Sequence, residues 1–133
     1  MATFHLQIST PDCLVFDGQA ERIILRTVNG DVCILAHHID YAAPLGIGAG
    51  SVTDAQGVTR RAAVNGGMLS VAGGVVRVIA TTFEWADEID LARAELAEAE
   101  ARHQLETLNR EDRSFAVAEA RLKRAITRIH VKD

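Results

Sequence analysis

The chain changes its hydrophobic period at Thr82-Phe83-Glu84-Trp85-Ala86-Asp87-Glu88-Ile89-Asp90. Before this stretch the sequence is rich in glycine and β-branched residues and alternates apolar with polar positions; after it there is no Gly and no Pro, and Ala, Glu and Arg dominate. A change of period indicates a change from strands to helices. The acidic residues of the stretch are typical of a helix start. We therefore expect a domain over residues 1–84 and a second over residues 87–133.

The first half consists of short alternating segments separated by turn signals. Phe4–Thr10 alternates with period two, which predicts a half-buried strand with Phe4, Leu6 and Ile8 facing inward. Asp17-Gly18 and Asn29-Gly30 are strong turn pairs between such segments. Because no helical segment is available to make parallel crossovers, the pattern predicts an antiparallel β-sandwich of about ten strands.

The second half has apolar residues spaced three and four apart, in two series separated by the polar break at 109–112. The series are Ile89, Ala92, Leu96, Ala99 and His103, then Phe115, Ala118, Leu122, Ala125 and Ile129. They predict an antiparallel two-helix hairpin in which Asp87 caps the first helix. Burying an alanine contributes little beside the ~1.5–3 kcal/mol of a leucine or isoleucine. We therefore expect the hairpin to be marginally stable and able to detach.

The composition excludes some classes of function. Among 133 residues, 48% are hydrophobic and 24% charged, and no run of about 18 apolar residues or signal peptide is present. We expect a cytosolic chain without membrane insertion. Residues 1–86 carry five basic and seven acidic side chains, so no broad basic face for nucleic acid is predicted. Residues 87–111 are acidic and 112–133 basic, which suits pairing of the two helices or an acidic partner.

The residues that most often carry chemistry do not form a catalytic pattern. His37, His38 and Asp40 resemble a metal cluster, but a zinc site needs three or four ligands and the sequence places no further one nearby. No G-x-S-x-G, H-E-x-x-H or activated-cysteine motif occurs, so we predict no catalytic residue, no metal and no enzyme. Cys13 and Cys33 are expected to be buried free thiols.

Three arginines of the second predicted helix share one face, because Arg121, Arg124 and Arg128 are spaced three and four apart. In a folded hairpin this face could approach Arg93, Asp90 and Glu84. Such a set can hold a triphosphate together with a base or ribose. It can equally be a solvated basic face that pairs with the acidic residues Glu95, Glu98 and Glu106 of the first helix.

Several short motifs occur in an order along the chain that matches one known protein family. They are Phe4-His5-Leu6, Ile8-Ser9-Thr10-Pro11-Asp12, Phe16-Asp17-Gly18, Gly30-Asp31, Ile34-Leu35, His38, 63–71 (AVNGGMLSV) and Glu88-Ile89-Asp90-Leu91-Ala92-Arg93-Ala94. Over essentially the whole chain the sequence resembles the epsilon subunit of F-type rotary ATP synthases, called delta in mitochondria. The resemblance implies a ten-stranded β-sandwich followed by a helical hairpin, and no catalysis by this chain.

The resemblance also implies a function. Members of this family sit in the central rotor stalk, bind the gamma subunit and the membrane c-ring, and couple proton or sodium flow to ATP synthesis. Their hairpin can extend along gamma toward the catalytic alpha and beta subunits, where it inhibits ATP hydrolysis. The complex lies on the cytoplasmic face of the bacterial plasma membrane, with this subunit peripheral. For this chain, contacts with the c-ring or gamma are implied at Asp31 and His38.

A regulatory ATP site is implied by the motif Ile/Leu-Asp-x-x-Arg-Ala, which here reads 89–94 (IDLARA). The implied site residues are Glu84, Ile89, Asp90, Arg93, Ala94, Arg124 and Arg128. No other cofactor is implied. Some ATP-binding members carry a basic residue where this chain has Glu100, which predicts weaker binding here.

Other departures from the family pattern fall in the loop that faces the c-ring. Cys33 replaces a common Gly, and Ala36 and Asp40 stand where Pro is common. These departures predict a different c-ring, such as that of an alternate synthase. Two rival functions remain: a nucleotide-sensing module in which ATP holds the hairpin down, and an adaptor β-sandwich unrelated to rotary motors.

Overall fold

A computed structural model describes residues 2–132. The strands are β1 (Phe4–Ser9), β2 (Leu14–Thr27), β3 (Gly30–Leu35), β4 (Tyr41–Asp54), β5 (Thr59–Ala72) and β6 (Val75–Trp85). A short 3-10 turn (Ala86–Glu88) leads to helices α1 (Leu91–Thr107) and α2 (Arg113–Lys132). The predicted order of a β-sandwich followed by a two-helix hairpin is therefore confirmed.

The number of strands differs from the prediction. The described residues form six strands rather than about ten, because two segments predicted as pairs of short strands are continuous. β2 runs through Asp17-Gly18, and β5 runs through 65–67. A glycine inside a strand can bend it at a bulge without ending its pairing. The turn signals in these segments therefore mark bends rather than strand ends.

The six strands form one sheet that closes on itself. Their order is β1-β6-β5-β4-β2-β3, and an additional pairing of β1 with β2 closes the sheet into a flattened barrel, with β3 alongside β2. All pairs are antiparallel except β1 with β6, in which Leu6 faces Val76 and Ile8 faces Val78. Each of these four side chains is at most 1% exposed.

The core of the sandwich is built by strand residues alone. Its fully buried large side chains are Leu6, Ile8, Ile23, Leu25, Ile34, Leu69, Val76 and Val78. Each contributes ~1.5–3 kcal/mol on burial. No residue of α1 or α2 belongs to this cluster. The sandwich therefore has a complete core without the hairpin.

The bend of β5 at Gly66-Gly67 divides the outer surface of the sandwich. Both glycines have positive φ, +65° and +114°. A Cβ built on Gly67 would lie 1.9 Å from the carbonyl oxygen of Ile79 on β6. Only glycine fits this approach. Ala63 faces outward on one side of the bend, under α2, whereas Met68 faces outward on the other side, where it is 46% exposed.

The hairpin is held together through small side chains. α1 packs mainly against α2, and its buried residues are Ala94 and Ala101. The buried stripe predicted from Ile89 through His103 is wrong, because Leu96 within it is 61% exposed. Ile89 precedes the helix and packs on the sandwich, so it does not define the helical phase.

The apolar series predicted for α2 agrees with the buried face of the helix, since Ala118 and Ala125 are buried. The first helix is capped by Asp90 rather than Asp87, because the Asp90 carboxylate accepts a hydrogen bond from the backbone N–H of Arg93 at 3.2 Å. Asp87 lies earlier, in the 3-10 turn.

The prediction of buried cysteines is also wrong. Cys13 and Cys33 are free, as predicted, but both are exposed. Cys13 lies in the turn before β2, where its Sγ is 3.7 Å from the Thr10 hydroxyl. Cys33 lies on β3 beside buried Ile34, and alternation therefore turns it outward.

We expect Gly67→Ala to lower the free energy of unfolding by about 2–4 kcal/mol, because it adds backbone strain and forces β6 away from β5. Urea denaturation of the purified chain measures the change. The matched control is Gly46→Ala, where the nearest atom to the new Cβ is an ordinary 3.6 Å away. Equal stability of the two variants would contradict the assigned role of Gly67.

Candidate functional site

The junction between β6 and α1 is held by side chains on backbone groups. The Glu88 carboxylate accepts a hydrogen bond from the backbone N–H of Trp85 at 3.2 Å. The Asp90 carboxylate accepts from the N–H of Arg93 at 3.2 Å. Free N–H groups at a helix start need such acceptors. Both carboxylates therefore stabilise the turn that sets the direction of α1.

Trp85 anchors the strand side of this junction. Its ring is 6% exposed and packs edge to face against Phe83, with centroids 4.8 Å apart. The Arg60 guanidinium lies 3.9 Å from the Trp85 ring centroid, and it also lies 3.5 Å from the Asp87 carboxylate. A cation over an indole face adds ~0.5–1 kcal/mol at an exposed site. The contacts of Trp85 thus fix the end of β6.

One ion pair links β6 to α2. Arg128 donates from Nε to Oε1 of Glu84 at 2.6 Å, and the two side chains are 30% and 34% exposed. The pair is separated by 44 residues in sequence. A charge-assisted hydrogen bond of this length is stronger than a neutral one. It therefore ties the hairpin directly to the edge of the sandwich.

A groove runs between the two helices beside this ion pair. Its first part has a volume of about 350 Å³ and is lined by Glu84, Glu88, Asp90, Arg93, Ala94, Ala97 and Arg128. Three carboxylates and two guanidinium groups make this end rich in hydrogen-bond acceptors. It is suited to hydroxyl and amino groups of a ligand.

The groove continues into a basic part of about 230 Å³. It is lined by Ala97, Glu100, Ala101, Gln104, Arg121, Arg124 and Arg128. Ala97 and Arg128 line both parts, so the groove is continuous. Its three arginines suit phosphate groups, and Glu100 is the one carboxylate at this end.

The structure brings together six of the seven residues predicted for the nucleotide site. Five line the acidic part of the groove, and Arg124 lines the basic part. Ile89 does not line the groove: it is 4% exposed and packs with Ala63 and Val131.

The alternative prediction was that the basic face pairs with Glu95, Glu98 and Glu106, and the observed ion pairs differ from it. In the described part of the chain, Glu98 pairs with Arg102 at 3.3 Å and Arg128 pairs with Glu84. The sequence did not identify Glu88, Ala97, Ala101 and Gln104 as groove residues. Glu88 lies four residues before Ala92, ahead of the helix, so no helical period could place it.

The two predicted partner contacts lie at opposite ends of the short strand β3: Asp31 is the second residue of the strand, and His38 lies in the loop after it. Asp31 is hydrogen-bonded by Arg26, which lowers the pKa of the Asp31 carboxyl below 3.8 and raises the pKa of Arg26. His38 donates from Nδ1 to the carbonyl of Ile39 at 2.7 Å and packs edge to face with Tyr41. The structure does not bring Asp31 and His38 together.

The histidine pair that resembled a metal cluster has a structural explanation. Asp40 accepts a hydrogen bond from the N–H of Gly73 at 3.2 Å, which ties the loop after β3 to the β5–β6 turn. His37 takes a left-handed conformation, with φ of 66°. Within residues 2–132 no group of three or more metal-ligating side chains is found.

Comparison with known families divides the chain at the same junction. Residues 3–86 match the family model described as ATP synthase, Delta/Epsilon chain, beta-sandwich domain. Residues 87–133 match the family model for the ATP synthase, Delta/Epsilon chain, long alpha-helix domain.

Similar proteins carry related names. An ATP synthase epsilon chain of Ruminococcus albus is 40% identical, covering 100% of this chain and 98% of the relative. One of Exiguobacterium is 34% identical with the same coverage. The fold is similar to a chain in the mitochondrial ATP synthase of Euglena gracilis, with a TM-score of 0.81, 24% identity, and coverage of 92% of this chain and 77% of that one.

We expect Asp31→Asn to lower the free energy of unfolding by roughly 0.2–1 kcal/mol at pH 7, the range for exposed ion pairs. A lowered folded-state pKa stabilises the protein above the unfolded pKa, and this stabilisation is lost as the pH falls through the folded value. The difference between the variant and the parent should therefore vanish in acid. Urea denaturation at pH 7 and at a series of successively more acidic pH values measures it.

The matched control is Arg26→Met, which removes the cause of the shift and should abolish the effect of Asp31→Asn. A difference that stays the same at all these pH values would contradict the assigned pairing.

Proposed function

The chain belongs to the ATP synthase delta/epsilon family as an epsilon subunit of an F-type synthase, and we propose how its two parts act in that complex. It is a non-catalytic subunit of the central rotor stalk. In our proposal the sandwich binds the gamma subunit and the c-ring, and the hairpin restrains ATP hydrolysis by the alpha and beta subunits. The proposal rests on one observation: the sandwich core is complete without the hairpin.

An exposed apolar row on the sandwich supports the contact with gamma. Ile79 on β6 lies opposite Met68 on β5, and Met68 lies opposite Pro44 on β4. On the other side of β6, Ser9 on β1 lies opposite both Ile79 and Leu14 of β2. Leu14, Met68 and Ile79 are 60%, 46% and 58% exposed. Contiguous exposed apolar side chains rimmed by polar ones are typical of protein interfaces.

The loop after β3 supports the contact with the c-ring. Ile39 is 79% exposed and Leu35 is 49% exposed, on either side of His38. The loop is braced by Asp40, so these apolar side chains are displayed on a defined backbone. We propose that this loop, with Asp31 at the other end of β3, meets the c-ring. Its remodelled sequence suits the c-ring of an alternate synthase.

We further propose that the subunit acts on the cytoplasmic face of the bacterial plasma membrane, as a peripheral part of the complex. In the part of the chain that the structure covers, neither helix is long and apolar enough to cross a membrane. In this setting the subunit couples proton or sodium flow to ATP synthesis through the rotor.

We expect removal of residues 87–133 to leave binding to gamma intact and to raise ATP hydrolysis by the synthase several-fold. The reason is that the apolar row and the core lie within residues 1–86, whereas the proposed restraint lies in the hairpin. Pull-down with gamma and the ATPase rate of the reconstituted complex measure the two effects.

The matched control is Ile79→Asp in the full-length chain. It changes the apolar row but not the hairpin, and it should weaken binding to gamma. The proposal fails if the truncated chain no longer binds gamma, or if hydrolysis is unchanged when the truncated chain is fully incorporated.

A second candidate function is regulation by ATP, and the groove between the helices favours it. Arg121, Arg124 and Arg128 offer the charge for a triphosphate, and the acidic part offers acceptors for ribose hydroxyls and the adenine amino group. Glu100 opposes a polyanion in the basic part. We therefore propose ATP binding that is weak, in which phosphate and Glu84 compete for Arg128.

We expect isothermal titration with ATP to give heat in the full-length chain, and Arg93→Ala and Arg124→Ala to weaken binding about tenfold or more, since a hydrogen bond to a charged group contributes ~1.5–3 kcal/mol. Arg102→Ala is the matched control, because Arg102 lies on α1 and pairs with Glu98 outside the groove. Absence of heat at millimolar ATP would rule out this candidate.

A further inference from the structure

The large apolar side chains of α2 lie on the face of the helix that points away from the sandwich. The opposite face contacts the sandwich, through Arg124, Arg128 and Val131. Because an α-helix has about 3.6 residues per turn, the residues roughly half a turn away from these share one face. This face, which we call the outer stripe, carries Phe115, Leu122, Ile126 and Ile129.

The outer stripe is only partly covered by the chain itself. Ala118 and Ala125 face α1 and are buried, whereas Ile126 is 41% exposed and the other members of the stripe are half-buried. α2 therefore buries its small apolar residues against α1 and leaves its large ones in contact with solvent. Such a row of apolar side chains on one helix face is typical of a surface that packs on another helix.

α1 contributes to the same outer surface of the hairpin. Its residues Ala94 and Ala101 are buried against α2, and Arg93 and Glu100 line the groove on the side of the sandwich. The helical period then places the remaining side of α1 next to the outer stripe. That side carries Leu91, Glu95, Glu98, Arg102 and Leu105.

The groove shows which residues of the two helices lie at the same height. Its acidic part is lined by Arg93 beside Arg128, and its basic part by Glu100 beside Arg121. Since the helices are antiparallel, each step forward along α1 is matched by one step back along α2. By the same correspondence Leu105 lies level with Phe115. At the other end of the hairpin, Leu91 lies level with Ile129.

We propose that the outer surface of the hairpin binds a second copy of this chain. A twofold axis parallel to the helices lays α1 of each copy antiparallel on α2 of the other and preserves the heights of the residues. Phe115 then meets Leu105 of the second copy, and Ile129 meets Leu91 of the second copy. The two hairpins form a four-helix bundle whose core is the two outer stripes.

The charged rim of this interface is self-complementary. Glu119 and Lys123 flank the outer stripe on α2, and Glu95 and Arg102 flank it on α1. The twofold arrangement brings Lys123 of one copy to Glu95 of the other, and Glu119 to Arg102. Among residues 2–132, neither Lys123 nor Glu95 has an ion-pair partner within the chain. Opposite charges at both positions favour a second copy over a partner of uniform charge.

The test measures the mass of the full-length chain as a function of its concentration, by sedimentation equilibrium. A reducing buffer keeps the exposed Cys13 and Cys33 as thiols, so that no disulfide links two copies. We expect a reversible equilibrium between monomer and dimer. A chain that stays monomeric up to millimolar concentration would overturn the proposal.

Ile126→Glu should weaken dimerisation about tenfold or more, because it places a carboxylate between the two outer stripes. The exposure of Ile126 in the single chain allows the variant to keep its fold, which helical circular dichroism checks. The matched control is Leu96→Glu, which adds the same charge at a side chain that is 61% exposed on the side of α1 turned away from α2. It should dimerise like the parent, and equal weakening by both variants would count against the interface.

A charge reversal tests the pairing across the twofold axis. Lys123→Glu and Glu95→Lys should each weaken the dimer, and the two changes in one chain should restore it. Effects on the helices alone would add rather than cancel, so absence of recovery contradicts the arrangement.

The apolar row on the sandwich offers the rival interface between copies. Loss of the dimer in Ile79→Asp, together with its retention in Ile126→Glu, would assign the association to the sandwich and overturn the proposal. All these measurements use the isolated chain, so the dimer and the regulation of hydrolysis can fail separately.

Discussion

The close approach of β6 to Gly67 is the constraint on which the outer surface of this protein depends. The Ile79 carbonyl occupies the space that a Cβ would take, and the positive φ of Gly66 and Gly67 bends β5 there while its pairing continues. On one side of the bend α2 covers the outward surface, which includes the small residue Ala63. On the other side they are larger and exposed, as at Met68 and Ile79. One backbone contact thus separates a surface for the chain's own helix from a surface suited to a partner.

The two parts of the chain differ in what holds them together. The sandwich buries a continuous set of leucine, isoleucine and valine side chains, each contributing ~1.5–3 kcal/mol. The hairpin buries alanines between its helices and, on the sandwich, a cluster containing Ala63, Ile89 and Val131. A unit attached by so little apolar surface opens at a lower free energy than the core. That difference fits the proposed division of roles, in which the sandwich binds the partner subunits and the hairpin regulates hydrolysis.

One charged residue, Arg128, both attaches the hairpin to the sandwich and lines the groove between the helices. Arg128 is hydrogen-bonded to Glu84 and also lines both parts of the groove between the helices. An anion in the groove and the Glu84 carboxylate therefore compete for the guanidinium group of Arg128. Glu100 reduces the positive charge available at the basic end. The carboxylates of Glu88 and Asp90 are meanwhile hydrogen-bonded to backbone N–H groups of the junction, so a ligand that binds these carboxylates also contacts the junction between β6 and α1.

The sequence by itself determined the fold class, the position of the junction and half of the groove residues, because hydrophobic period, turn pairs and the 89–94 motif are local signals. It did not determine the number of strands, since a glycine that ends a strand and one that bends it look alike until the neighbouring strand is in place. It placed the buried face of α1 wrongly, because Ile89 belongs to the sandwich rather than to the helix. The ion pair between Glu84 and Arg128 and the burial of Val131 were decided by the tertiary structure alone. Both join residues more than 40 positions apart, and only the direction in which α2 returns along the sandwich brings them within reach.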